Sequence, residues 1–157
     1  MNKKVFGRKL SRSRPAREAL FASLAKALIL NGKIETTRAK AKAVISEVEK
    51  MVSLAKKDDI HARRKVFGML DNSKETVNFL FGTIAKAFSN RKSGFTRIIS
   101  LPRRHGDNAE MARLEWTEKI TVEEVKKEEK KENKDNKAAK PAKMVKKITK
   151  KEVKSKK

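Results

Sequence analysis

Residues 36–57, TTRAKAKAVISEVEKMVSLAKK, carry the most regular apolar pattern in the chain. Their apolar side chains recur at i, i+3, i+4 and i+7, which places them along one face of an α-helix. These residues are Ala41, Val44, Ile45, Val48, Met51, Val52 and Ala55. Either Thr36 or Thr37 can cap the helix, because a threonine hydroxyl accepts a hydrogen bond from a free backbone N–H group. We therefore predict a helix from one of these threonines to about Lys57.

The preceding segment predicts a helix from Arg14–Pro15 to Asn31–Gly32. Proline suits a first turn, where its missing N–H would have no partner, and glycine supplies the left-handed residue that ends a helix. Glu18 lies in the opening turns, where the helix dipole favours a negative charge. The predicted apolar face of this helix contains Leu20, Phe21, Leu24 and Leu28.

Two further helices are predicted after residue 57. Asp58–Asp59 is a cap for a short helix from His61 to Leu70. A turn at Asp71–Asn72–Ser73 then precedes a helix over residues 74–89. The predicted apolar face of that helix contains Val77, Leu80, Phe81, Ile84 and Phe88.

The remaining ordered segments have the composition and the alternation of strands. Residues 95–101, FTRIISL, are rich in β-branched residues, and residues 111–117, MARLEWT, alternate between apolar and charged side chains. Residues 102–110 join them as a loop of turn formers, which predicts a long hairpin. With a short strand at residues 33–36, the fold class is α+β two-layer, with about four helices packed on a small three-stranded sheet.

Positive charge dominates the composition. The chain has 42 Lys+Arg against 19 Asp+Glu, a formal net charge of +23. Charge of this size opposes compaction by self-repulsion unless a polyanion neutralises it, so a nucleic acid is the expected partner. All twelve arginines lie in residues 1–120, and an arginine meets phosphate with a planar fork that lysine lacks.

Three segments follow from this distribution. Residues 1–13 are a basic N-terminal arm, expected to become ordered only on a partner. Residues 14–120 are the folded domain. Residues 121–157 are Lys/Glu-rich with few apolar side chains, so we expect a disordered extension with a transient helix from Val122 to Glu132.

Several classes of protein are disfavoured. The absence of cysteine excludes disulfides and zinc–thiolate sites and favours a reducing, intracellular location. The sequence has no run of about 18 apolar residues, so we expect no membrane-spanning helix. The Arg- and Ser-rich N-terminus resembles a targeting segment, but Glu18 and Lys26 interrupt the pattern, so we expect a retained arm.

No catalytic signature is present. The only histidines are His61 and His105, and the chain has no Gly-x-Ser-x-Gly, Gly-Lys-Ser/Thr or His-Glu-x-x-His motif. We therefore expect no enzyme activity, catalytic residue, metal, cofactor or small-molecule substrate. We interpret Asp107–Asn108 as turn residues, because Asp and Asn side chains hydrogen-bond to their own backbone.

Three groups of cations are candidate phosphate-binding sites. The arm and the start of the first helix contribute Lys3, Lys4, Arg8, Lys9, Arg12 and Arg14. The predicted hairpin and its approach contribute Arg91, Lys92, Arg97, Arg103 and Arg104. The short third helix contributes Arg63, Arg64 and Lys65, for which a solvated face is an equally good interpretation. Because only 5% of residues are aromatic, base stacking is disfavoured and recognition of a folded, phosphate-lined surface by shape is expected.

The chain resembles a known family. Its most specific stretches are Ile34–Thr37 followed by Ala39–Lys40–Ala41, Gly94–Ile98, and Gly106–Ala109 followed by Met111–Ala112. These stretches, in order within about residues 1–118, resemble the bacterial large-subunit ribosomal protein family numbered seventeen. The extension of residues 121–157 departs from the compact family pattern.

The resemblance implies helices on a small three-stranded sheet, no catalysis, and binding to large-subunit ribosomal RNA beside neighbouring large-subunit ribosomal proteins. It also implies a location on the ribosome in the cytoplasm. By position, the resemblance assigns RNA contacts to Arg8, Lys9, Arg12, Arg17, Arg38, Lys40, Arg97 and Arg104.

The sequence thus predicts a structural constituent of the large ribosomal subunit, in single copy per ribosome, that clamps folded ribosomal RNA and supports subunit assembly and translation. Two alternatives remain open. A DNA-compacting protein would bind duplex DNA as well as folded ribosomal RNA, and it usually has a dimer interface or an apolar wedge. A transient assembly or regulatory factor would be found on subunit precursors and be absent from translating ribosomes.

Overall fold

The computed structural model of the protein describes residues 7–118 and 120. Residues 1–6 of the arm and the extension of residues 121–157, with its predicted transient helix, lie outside this range. The elements are α1 (Arg14–Asn31), β1 (Lys33–Thr37), α2 (Arg38–Ala55), α3 (Ile60–Met69), α4 (Lys74–Phe79), α5 (Ala85–Ala87), β2 (Thr96–Ser100) and β3 (Met111–Trp116). A π-helical segment, Leu80–Ile84, joins α4 to α5, so these three pieces form the predicted fourth helix.

Helix α2 forms where the apolar pattern predicts it and buries that pattern. Its buried residues are Ala41, Val44, Val48, Met51, Val52 and Ala55, while Ile45 is half-buried at the edge of the face. Thr37 occupies the capping position, but the predicted side-chain capping bond is absent. Instead, the backbone N–H of Arg38 continues the sheet and donates to the carbonyl oxygen of Glu110 at 2.9 Å. The start of α2 is therefore fixed by the strand that leads into it.

Helix α1 has its predicted bounds, and its fully buried residues include two alanines. Gly32 ends the helix with φ 76° and donates its N–H to the carbonyl oxygen of Leu28 at 2.9 Å. The fully buried residues are Ala22, Ala25, Leu28 and Ile29. Of the four residues at helical spacing, Leu28 is fully buried, whereas Leu20, Phe21 and Leu24 are half-buried. The small side chains of Ala22 and Ala25 are buried on this face, and small side chains at a helix contact permit a short interaxial distance.

The fourth helix buries every residue of its predicted apolar face, but its backbone is not uniform. Three consecutive residues, Phe79, Leu80 and Phe81, are all buried. A regular α-helix turns successive side chains by about 100°, which spreads three neighbours beyond one narrow face. The π-helical segment from Leu80 to Ile84 locally widens the turn at this point.

The sheet has the order β1-β3-β2, and both pairs are antiparallel. The predicted hairpin is confirmed, with Ile98 of β2 opposite Leu114 of β3, and Ile34 of β1 faces Leu114 from the other side. Ala112, Leu114 and Trp116 point into the core under the helices, as their alternation predicts. Arg113 and Glu115 therefore lie on the opposite, outer face of the sheet.

An aromatic cluster joins the last helix to the hairpin. The ring of Phe88 lies 5.3 Å from that of Phe95 and 5.7 Å from that of Trp116, centroid to centroid. The indole Nε1 of Trp116 donates to the carbonyl oxygen of Leu28 at 3.3 Å, which also ties β3 to α1. Among the described residues, no helix is both long and apolar enough to cross a membrane.

Phe88→Ala should lower the free energy of unfolding by about 3–5 kcal/mol, because Phe88 is 0% exposed and its removal leaves a cavity in this cluster. Urea denaturation followed by the fluorescence of the single tryptophan measures this change. Lys86→Ala, an exposed change two residues away, is the matched control. A loss below about 1 kcal/mol for Phe88→Ala would contradict the role given to the cluster.

Candidate nucleic-acid interface

Ion pairs on the surface divide the cations into two groups. Nine pairs form among the described residues, and each joins one cation to one carboxylate. The paired cations are Arg14, Lys26, Arg38, Lys50, Arg63, Arg91, Arg97, Arg104 and Arg113. Water screens such exposed pairs, so they add little to stability. They do, however, decide which positive charges are already compensated within the protein.

A groove of about 660 Å³, which we call the arm groove, lies between the arm, α1, α2 and α3. Its apolar floor includes Phe21, Met51 and Met69. The cations that line it are Arg8, Lys9, Arg17 and Lys65. The fold therefore brings cations of the arm and the first helix together with one from the short third helix, which is far from them in the sequence.

The carboxylates that line the arm groove are all engaged by cations from outside it. Glu18 pairs with Arg14 at 2.9 Å, Glu47 with Lys50 at 3.1 Å and Asp71 with Lys26 at 3.0 Å. None of the four lining cations forms an ion pair within residues 7–118 and 120. The groove thus has uncompensated positive charge above an apolar floor, which suits a ligand with phosphate groups.

A second cleft, of about 420 Å³, lies beside the first and shares Arg8 with it. We call it the α2 cleft, because Arg38 and Lys42 from the start of α2 line it together with Glu110 from the end of the hairpin loop. Arg38 pairs with Glu110 at 3.1 Å, whereas Lys42 has no carboxylate partner in the described part of the chain. Lys40 is half-buried and lines neither opening.

Lys42 was not among the residues selected from the sequence. Its spacing of four from Arg38 places both on one helical face, and this periodicity is the signal that could have identified it. Lys65 was grouped only with its sequence neighbours, and nothing local in the sequence shows that it faces the arm.

The described part of the arm has a defined backbone, whereas the sequence predicted order only on a partner. Arg12 donates its N–H to the carbonyl oxygen of Lys9 at 3.1 Å, which closes a turn. Leu10 and Ser11, the central residues, have φ angles of 53° and 52°. Positive φ at both central residues is typical of a type I′ turn, a conformation that side chains other than Gly, Asn and Asp rarely adopt. Lys3 and Lys4 lie outside the described residues.

The cations of the hairpin group line neither opening. Arg97 pairs with Glu115 across the strands, Arg104 pairs with Asp107 within the loop, and Arg91 pairs with Glu118 at 3.1 Å. Lys92 and Arg103 are exposed and have no ion pair within the described ranges. An anionic partner would therefore meet two uncompensated cations here, at opposite ends of β2.

The third candidate group is divided by the fold. The guanidinium of Arg63 lies 4.4 Å from the ring centroid of Phe81 and pairs with Asp58 at 3.1 Å, so it is engaged within the protein. Arg64 is exposed on the outer face of α3, and Lys65 faces the arm groove.

The Arg104–Asp107 ion pair in the hairpin loop predicts a measurable change in the titration of the Asp107 carboxyl group. The hydrogen bond from Arg104, followed by that from the backbone N–H of Ala109, lowers the pKa of Asp107 to about 2. Because the folded-state pKa lies below the unfolded value of about 3.9, this contribution to loop stability is present above pH 4 and is lost as pH falls toward 2.

Carboxyl NMR should therefore give a midpoint near 2 for Asp107, and Arg104→Ala should raise it toward about 4. Arg103→Ala, the adjacent exposed arginine, should leave the midpoint unchanged. Equal midpoints in the wild type and Arg104→Ala would show that the pair does not form in solution.

Comparison with known proteins identifies the family. Residues 20–117 match the family model described as ribosomal protein L17. The large ribosomal subunit protein bL17 of Sulfurihydrogenibium sp. (strain YO3AOP1) is 48% identical over 119 residues, which cover 75% of this chain and 98% of that protein. The bL17 proteins of Persephonella marina and Mesorhizobium japonicum are 46% and 44% identical, and the matches cover 96% and 80% of their lengths.

The matched residues include β1, α2 and the whole β2–β3 hairpin, which are the segments that carry the sequence resemblance. The chain belongs to the ribosomal protein L17 family.

Proposed function

We propose that this protein is a structural constituent of the large ribosomal subunit, present in one copy per cytoplasmic ribosome, that binds folded ribosomal RNA through the arm groove. The observation that carries the proposal is the set of four cations around that groove with no ion pair among the described residues. Membership of a ribosomal protein family supports the same partner.

The mechanism is charge neutralisation by a shaped surface. RNA phosphates condense counterions, and a protein that replaces them releases those ions, which favours binding most strongly at low salt. The planar guanidinium groups of Arg8 and Arg17 can each donate two hydrogen bonds to phosphate oxygens, while Lys9 and Lys65 contribute point charges. Because these residues come from three segments that the fold brings together, the arm, α1 and α3, the bound RNA segments are held at a fixed spacing, which supports subunit assembly.

The α2 cleft extends this surface. Arg8 lines both openings, so a phosphate chain that follows the arm groove continues to Lys42 and to Arg38. Arg38 has to share its guanidinium with Glu110, and this makes it a weaker contact than Lys42. The remaining arm cations, Lys3, Lys4 and Arg12, are proposed to add further phosphate contacts.

The other predicted contacts are secondary in this proposal. Arg97 and Arg104 would have to exchange a carboxylate partner for a phosphate, so their binding contributes less net free energy. Arg64 is exposed and reaches RNA without that exchange, whereas Lys92 and Arg103 flank the two ends of β2 and are less central to the RNA contact. Neighbouring large-subunit proteins complete the surroundings, and the protein's role is structural rather than catalytic.

A charge-matched pair of variants tests the proposal. Arg8→Ala/Lys9→Ala/Arg12→Ala removes three arm cations, and Lys33→Ala/Lys74→Ala/Lys86→Ala removes three exposed cations away from both openings. Binding to purified large-subunit ribosomal RNA should become less salt-dependent only in the arm variant. Its slope of log K against log salt should fall by about 2–3, since each lost phosphate contact removes about 0.7–0.9.

The same two variants should differ in the cell. Both should keep the wild-type unfolding transition, but the arm variant should be depleted in purified large subunits while the control remains at wild-type occupancy. Equal salt slopes and equal occupancy for the two variants would show that the arm groove is not part of the RNA interface.

A further inference from the structure

The outer edge of β2 has backbone groups that nothing else in the described structure pairs. The N–H of Leu101 donates to Met111 and that of Thr117 donates to Phe95, at 3.1 and 2.9 Å. In an antiparallel pair such hydrogen-bonded positions alternate along the strand, so Arg97 and Ile99 also face β3. The N–H and C=O groups of Thr96, Ile98 and Ser100 therefore point away from the sheet.

Between Thr96 and Ser100 this edge lacks the features that normally protect an unpaired strand, and the nearest proline, Pro102, lies beyond the end of β2. Natural edge strands are blunted by charged side chains, proline or bulges, or are covered by another element. β2 has one charged residue, Arg97, and Glu115 neutralises it from the neighbouring strand. Ile99 is 37% exposed on the outer face, and Ser100 is exposed at the end. Thr96 also has a buried hydroxyl without a hydrogen-bond partner among the described residues.

The opposite edge of the sheet shows the contrast. β1 has Lys33, a cation without an ion pair in the described part of the chain, exposed at its free edge, and it is bounded at once by α1 and α2. This charge and the two helices discourage the addition of a strand. Only the β2 side is open and largely uncharged.

We propose that the free edge of β2 binds an extended segment of a neighbouring ribosomal protein as a fourth strand of the sheet. Strand addition takes its affinity from main-chain hydrogen bonds, for which Thr96, Ile98 and Ser100 supply the donors and acceptors. A β2 length of five residues corresponds to about 17 Å of partner. Lys92 and Arg103, exposed beyond the two ends of β2, select a segment with a carboxylate near each end.

Charge favours a polypeptide over RNA at this edge. Across the outer face, Arg97 pairs with Glu115 and Arg113 pairs with Glu35 at 2.8 Å, so the face next to the edge is nearly neutral. A phosphate chain placed along the strand would meet carboxylates there. A second copy of this chain is disfavoured by the mutual repulsion of two chains of net charge +23.

Amide hydrogen exchange tests this pattern residue by residue, in the free protein and in purified large subunits. The amides of Arg97, Ile99 and Leu101 should be protected in both, because they bond to β3. Those of Thr96, Ile98 and Ser100 should exchange fast in the free protein and slow by about tenfold or more in the subunit. Fast exchange in the subunit, or slow exchange already in the free protein, would overturn the proposal.

Ser100→Pro and Ser100→Ala form a matched pair of variants. Proline removes an N–H that makes no bond to β3, so both variants should fold and, given the proposed RNA binding, both should enter subunits. Only Ser100→Pro should lose the protection of Ile98 in the subunit. Equal protection in the two variants would show that no strand is added. Failure of both to enter subunits, with normal folding, would also overturn the proposal, because the hydroxyl would then be the contact.

A crosslink identifies what covers the edge. Because the chain has no cysteine, Ser100→Cys introduces a single thiol that can be labelled with benzophenone maleimide. Ser23→Cys on α1, labelled in the same way, is the control. A Ser100→Cys adduct with another ribosomal protein, absent from the Ser23→Cys control, is the expected product. An adduct with RNA, an adduct with a second copy of this chain, or no adduct would each contradict the proposal.

Discussion

Residues 1–120 contain 27 cationic side chains and only twelve carboxylates. The mutual repulsion of the cations opposes folding, and the apolar core has to overcome it. Apolar packing in the core opposes this repulsion: α2 buries one face from Ala41 to Ala55, and the Phe88–Phe95–Trp116 cluster joins the last helix to the sheet. The ion pairs then compensate cations locally. What remains uncompensated around the arm groove is the part of the charge that an external polyanion can neutralise.

Regular patterns made most of the fold predictable. The period of 3.6 in α2 and the alternation in β3 each arise from a single face against one core, so the sequence shows them directly. The features that the sequence did not predict have a different origin. The face that α1 buries is set by the elements packed against it, and the start of α2 is fixed by the backbone of Glu110, which is 72 residues away. The π-helical segment depends on fitting Phe79, Leu80 and Phe81 into one core. These are tertiary effects that no local window contains.

The candidate interface was predictable in composition and less so in arrangement. A basic arm and cation-rich loops are visible in the sequence, but the pairing state of each cation is a property of the fold. Arg97 and Glu115 are 18 residues apart and meet only because β2 lies against β3. Arg63 is engaged by Phe81 and Asp58, while its neighbour Lys65 faces the arm. A chain-wide count of charges therefore indicates the class of partner, and the structure indicates the face.

The most direct test of this account compares the acetylation rates of individual lysines in the free protein and in intact large subunits. The account predicts that Lys9 and Lys65, which line the arm groove, lose reactivity in the subunit and regain it after ribonuclease digestion. Lys74 and Lys86, exposed away from both openings, should react at similar rates throughout. Unchanged reactivity of Lys9 and Lys65 in the subunit, with Lys74 and Lys86 protected instead, would place the RNA on the opposite face and contradict the account.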